Sequence, residues 1–116
     1  MPISREDVTV TTDSSGVATA YSSVLNGLLH RIKIVNTDMA AAVDYVITTE
    51  DSDDQILSIT NTVATDSYPR LQVDTTTLGD LTDSSEKLPL NNERVKIVVA
   101  EGGATKSATV TIYWEF

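Results

Sequence analysis

Four carboxylates crowd into five residues at Glu50-Asp51-Ser52-Asp53-Asp54, and oxygen-rich runs of this kind can supply the ligands Ca²⁺ prefers. The spacing is not that of an EF-hand loop, which needs a Gly at its sixth position and a Glu at its twelfth, so a solvated acidic turn is the expected reading and calcium the alternative. His30 is the sole histidine and falls among alternating apolar residues, as expected of a half-buried ring with a satisfied hydrogen bond; a pH-sensing subunit contact is the other use. A hydrolytic triad would need His30 beside a serine and a carboxylate, but no Gly-x-Ser-x-Gly turn is present. Gly102-Gly103 lacks the Lys-Ser/Thr pair and following helix of a phosphate loop, and a turn accounts for it. Paired carboxylates could cleave sugars, but a chain with one Trp, four Tyr and one Phe has few rings to line a saccharide cleft. No catalytic group, metal or cofactor is therefore expected.

Composition points the same way. At 116 residues the chain has the size of one domain, 1–116, with one core. Cysteine is absent, which removes disulfides, thiolate nucleophiles and Cys-ligated zinc. Seventeen acidic residues against eight basic ones give a net charge of −9, which repels phosphate backbones and anionic lipid. Neither nucleic acid nor membrane is an expected partner: no run approaches the ~20 apolar residues of a membrane span. The opening Met1 to Asp7 lacks the basic and apolar regions of a signal peptide, so synthesis in a cytoplasm is expected.

What remains legible is strand alternation. Val, Ile and Thr recur at every second position in segments bounded by Gly, Asn, Asp or Ser, and seven to eight strands at such spacing predict an all-β antiparallel sandwich of jelly-roll type. Val8 to Thr11, a turn at Asp13 to Gly16, and Val17 to Ser22 read as an N-terminal hairpin following a segment 1–7. Asn26-Gly27 reads as a tight turn, after which Leu28, His30, Ile32 and Ile34 face the core and Leu29, Arg31, Lys33 and Val35 face outward. Met39 to Ala42 is too short for a helix and reads as loop. Val43 to Thr48 and Ile56 to Thr60 are two further strands. Tyr68-Pro69-Arg70 breaks the pattern because proline lacks the ladder N–H. Leu71 and Val73 form at most a short strand, and residues 74–92 read as the longest loop, tied down by its isolated Leu78, Leu81, Leu88 and Leu90. Arg94 to Ala100 is a strand, turned by Glu101-Gly102-Gly103 into a hairpin with Ser107 to Phe116. That last segment places Ala108, Val110, Ile112, Trp114 and Phe116 on one face, and its two large rings serve either the core or an anchor in a neighbouring subunit.

Several pieces, Tyr21-Ser22, Asn26 to Lys33, Val43 to Thr48, Tyr68-Pro69-Arg70 and above all Leu90-Asn91-Asn92-Glu93-Arg94-Val95-Lys96-Ile97-Val98-Val99-Ala100-Glu101-Gly102-Gly103, resemble a family of small all-β virion proteins of tailed bacteriophages. The resemblance covers most of residues 16–113 and departs in loop 74–89, shorter and more acidic than the family's Ala/Gly-rich loop, and in the aromatic C-terminal strand. It implies a capsid decoration, or cement, protein on the outer surface of the virion, binding the major capsid protein and self-associating as a trimer, with no reaction to catalyse. Contact with the shell is then expected from the segment 1–7, loop 74–92 and Arg94 to Ala100, with Arg31, Arg70 and Arg94 as polar anchors and Leu78, Leu81, Trp114 and Phe116 as apolar ones. A tail or head-completion protein, or a carbohydrate-binding adhesion module with Tyr68 exposed, would be the alternatives.

Overall fold

The computed structural model describes residues 3–36, 38–53, 55–61, 65–67, 70–74 and 81–115, with the side chains of residues 36, 70–74 and 81–87 outside the description. Among the described residues nine strands follow one another: β1 (Ile3–Thr11), β2 (Ala18–Asn36), β3 (Asp44–Thr49), β4 (Gln55–Ile59), β5 (Thr65–Ser67), β6 (Arg70–Asp74), β7 (Leu81–Lys87), β8 (Pro89–Ala100) and β9 (Ser107–Glu115). Seven form one antiparallel sheet in the order β1-β9-β2-β8-β3-β4, with β5 also on β2, while β6 and β7 pair with each other. The sheet folds over so that Val8 and Val10 of β1, Ala108, Val110 and Ile112 of β9, Tyr45 and Ile47 of β3, and Val95, Ile97 and Val99 of β8 meet in one core. The all-β, sandwich-like fold expected from alternation is the one observed. Each fully buried Ile or Val contributes about 1.5–3 kcal/mol.

The fold turns on β2, nineteen residues long. Its first half pairs with β8, its second half with β9 on the opposite edge, and Leu28 pairs with both, facing Pro89 and Glu115. Two bulges make the bend. An extra residue stands at Ser22-Ser23 against β8 and another at His30 against β9, and each reverses which positions point inward. The buried positions accordingly run Ser22, then Leu25 and Leu29, then Ile32 and Ile34. Leu29, expected outward, is wholly buried, while Leu28, expected in the core, is only half-buried; His30 is half-buried, as expected of it. Asn26-Gly27 makes no hairpin either; it lies within β2, where Gly27 takes φ 123° at the point where the strand changes partners.

β8 carries the third bulge. Asn92, at φ 57°, is the extra residue between the pairs Leu25–Glu93 and Asn26–Asn91. Leu88 and Leu90 point inward before it, and Glu93, Val95, Ile97 and Val99 after it. Residues 74–92, expected as one loop, instead hold β7 and the start of β8, because Leu88 and Leu90 are core residues.

Two expected hairpins are absent. β1 pairs along its whole length with β9, from Ile3–Glu115 to Thr11–Ser107, and not with the strand that follows it. β8 and β9 lie on opposite edges of β2, so residues 101–106 cross the end of the fold. The loops there are knitted together. Thr12 N–H donates to Lys106 O at 2.8 Å, Gly102 N–H to Gly16 O at 3.0 Å and Ala40 N–H to Gly102 O at 3.0 Å. The Thr12 hydroxyl donates to Gly103 O at 2.6 Å and accepts from Lys106 N–H at 2.8 Å. A Cβ on Gly102 would stand 2.8 Å from the Met39 sulfur and 3.0 Å from the Thr12 methyl. A side chain at 102 would therefore displace Met39, which is buried beneath the crossing.

Candidate functional site

Of the arginines expected to anchor a partner, Arg31 and Arg94 are engaged within the chain. Arg31 forms a two-pronged ion pair with Asp66, at 2.6 and 2.5 Å, which ties β5 to β2, and its guanidinium lies 5.0 Å from the centroid of the Tyr113 ring. Arg94 pairs in the same fashion with Glu50 and stands 4.1 Å over the ring of Tyr21. These pairs hold the Glu50 and Asp66 carboxyls below their usual range, chiefly through the hydrogen bonds from Arg94 and Arg31. On β1, Arg5 likewise holds Asp7, whose carboxylate also accepts from the Thr111 hydroxyl at 2.8 Å.

The acidic run 50–54 is organised from across the sheet by Glu93. This carboxylate, 3 % exposed, points inward because of the Asn92 bulge. It accepts from Asp51 N–H at 3.0 Å, Ser52 N–H at 2.9 Å and the Ser52 hydroxyl at 2.9 Å. The Ser52 backbone donor is foremost in lowering its pKa, opposed by burial. Glu93 thus closes the β3–β4 turn much as a capping residue closes a helix end. Among the described residues no group of three or more His, Asp or Glu is placed to hold a metal ion.

At the end opposite the knitted loops the fold is open. Val24, Leu25, Asn26 and Trp114 line a cleft of about 340 Å³. Leu25 is its floor, Val24 is 55 % exposed at its lip, and Trp114 stands between Ser4 of β1 and Leu29 of β2. The bulge at Ser22-Ser23 creates the lip by leaving Val24 outward and turning Leu25 in. It is held by two hydroxyls: Ser22 accepts from Val95 N–H at 2.9 Å, and Ser23 donates to the carboxylate of Glu6, which also takes the Ser23 N–H at 2.9 Å.

Of the expected partner contacts that are among the described residues, Trp114 lies at this cleft. Arg31 and Arg94 are in their separate ion pairs; Arg70 and Leu81 are placed only by backbone, opposite Lys87 and Asp74 in the β6–β7 ladder; Leu78 and Phe116 lie outside the described residues, as do Tyr68 and Asp54. Sequence reasoning missed Val24, Glu6 and Glu93. The signal for Glu93 was present: counting back from Val95 in steps of two places it on the core side.

No family model matches the chain, and no curated protein matches it. Among solved structures, the crystal structure of FlhE aligns over 100% of both chains with a TM-score of 0.50 at 10% identity, which is a likeness of fold alone. The complex of the Aeromonas sobria serine protease with its chaperone ORF2 gives 0.41 at 8% identity, over 100% of this chain and 27% of that one. The VP2 subviral particle of infectious bursal disease virus gives 0.33 at 15% identity, over 98% of this chain and 32% of that one. Neither of these two values is high enough to carry an argument about fold or role.

Proposed function

We propose that this chain is a non-catalytic assembly protein that decorates the outer surface of a bacteriophage shell, binds the major capsid protein and stabilises the particle, acting as a trimer. The observation that carries the reading is the disposition of its polar groups. Arg31, Arg94, Glu50, Asp66 and Glu93 are satisfied within the fold, and an apolar cleft stands open at one end. Such a body offers surfaces to join. The resemblance centred on residues 90–103 supplies the setting. Copies that bind only the finished shell stabilise it by RT ln(1 + [L]/Kd) per site, about 2.7 kcal/mol at a hundredfold excess over Kd. Many sites together resist internal pressure.

The test is reconstitution. Purified chain added to particles lacking it should rebind in hundreds of copies, appear on the outer shell by cryo-electron microscopy and raise the particle's melting temperature. Density confined to the tail, or a few copies per particle, would replace decoration with a completion role. Light scattering on the isolated protein tests the trimer, and a monomer would mean that the shell organises the copies.

A further inference from the structure

The open cleft has a chemistry of its own. Its walls are Val24, Leu25 and the ring of Trp114. Its edge is negative: Glu6 sits on Ser23, next to Val24, and among the described residues its carboxylate has only Ser23 as partner. Tyr21 and Tyr113 each carry an arginine of this chain against their rings; among the described residues Trp114 carries none. An indole face beside an uncompensated carboxylate attracts a cation, and the aliphatic walls attract the stem behind it. The net charge of −9 draws cationic segments toward the molecule.

From this we infer that the cleft receives a lysine- or arginine-bearing apolar segment of the partner protein, its alkyl stem against Val24 and Leu25 and its cation between Trp114 and Glu6. The inference deepens the assembly reading, on which it rests for the identity of the partner, by naming what that partner must present. An acidic segment would be repelled.

Trp114 is the only tryptophan, so its emission reports occupancy directly. The blocked peptide Gly-Lys-Leu-Lys-Gly should produce a saturable emission change that weakens in high salt. Glu6→Gln, which keeps a carbonyl for Ser23, should weaken binding about fivefold. Val24→Arg, at an exposed position that leaves the core intact by circular dichroism, should abolish it. An equal response to Gly-Glu-Leu-Glu-Gly, a response to maltohexaose in place of the lysine peptide, or no response at millimolar peptide overturns the inference. Particle rebinding keeps the two readings apart: Val24→Arg that rebinds as well as wild type removes the cleft from the interface and leaves assembly standing, whereas wild type that never rebinds removes assembly while the peptide response is judged by itself.

Discussion

Glu93 gathers three donors from a turn on another strand, and losing it has a calculable effect. Glu93→Ala leaves the Asp51 and Ser52 donors without their acceptor, and a destabilisation of about 1–3 kcal/mol is expected in urea unfolding at neutral pH. The pH dependence has a definite sign. The Glu93 carboxyl is depressed in the fold, so its contribution is complete above the ordinary glutamate value and disappears as pH falls through the lower folded value. The stability gap between wild type and Glu93→Gln should therefore shrink on acidification below the ordinary carboxylate range, and a constant gap would mean that Glu93 acts by shape alone. Calcium belongs to the same locality. With Glu50 on Arg94 and Glu93 on the turn itself, thermal melts in calcium and in chelator should coincide. The sequence displayed the carboxylates of 50–54 plainly, but it gave two answers for Glu93: counting back by twos from Val95 turns it inward, and counting on from Leu88 and Leu90 turns it outward, the Asn92 bulge being what reconciles them.

Strands β3, β8 after Asn92, and β9 were legible because each keeps unbroken alternation over its buried residues, and tertiary packing needs nothing else to choose their faces. β2 was legible only in pieces. Asn26-Gly27 carries the strongest short hairpin signal in the chain, yet its freedom in φ is used for a change of partners inside a strand. The two bulges flip parity, so Leu29 and Ile32, three apart, share a face that strict alternation assigns to opposite sides. Gly27→Val should be destabilising by about 1–3 kcal/mol, since φ 123° is strained for a β-branched residue, and denaturant melts measure it. Pairing partners were the least legible, because β1–β9 joins the two ends of the chain and no local dipeptide encodes that. Hydrogen exchange should follow the topology: amides of β9, flanked by β1 and β2, exchange last, and those of β6 and β7, paired only with each other, exchange first. Equal protection of both would contradict the topology.

For the molecule as a whole, the strand latest in sequence is an inner one. β9 provides the ladder for β1 on one edge and for the second half of β2 on the other, and its Ala108, Val110 and Ile112 are wholly buried. Chains cut after residue 106 should show no cooperative unfolding transition by circular dichroism, while a native-like melt of that fragment would mean that the β8–β3–β4 half folds alone. The same placement governs how the protein comes into being. On the ribosome, eight strands emerge before the one that unites them, so the nascent chain has no finished sheet to close around and must wait, exposed, until residues 107–115 clear the exit tunnel. Maturation is then a single late collapse dominated by contacts between distant positions, of the kind that takes milliseconds to seconds. A chain stopped before residue 107 would be released unfolded for proteolysis and not as a partly folded one.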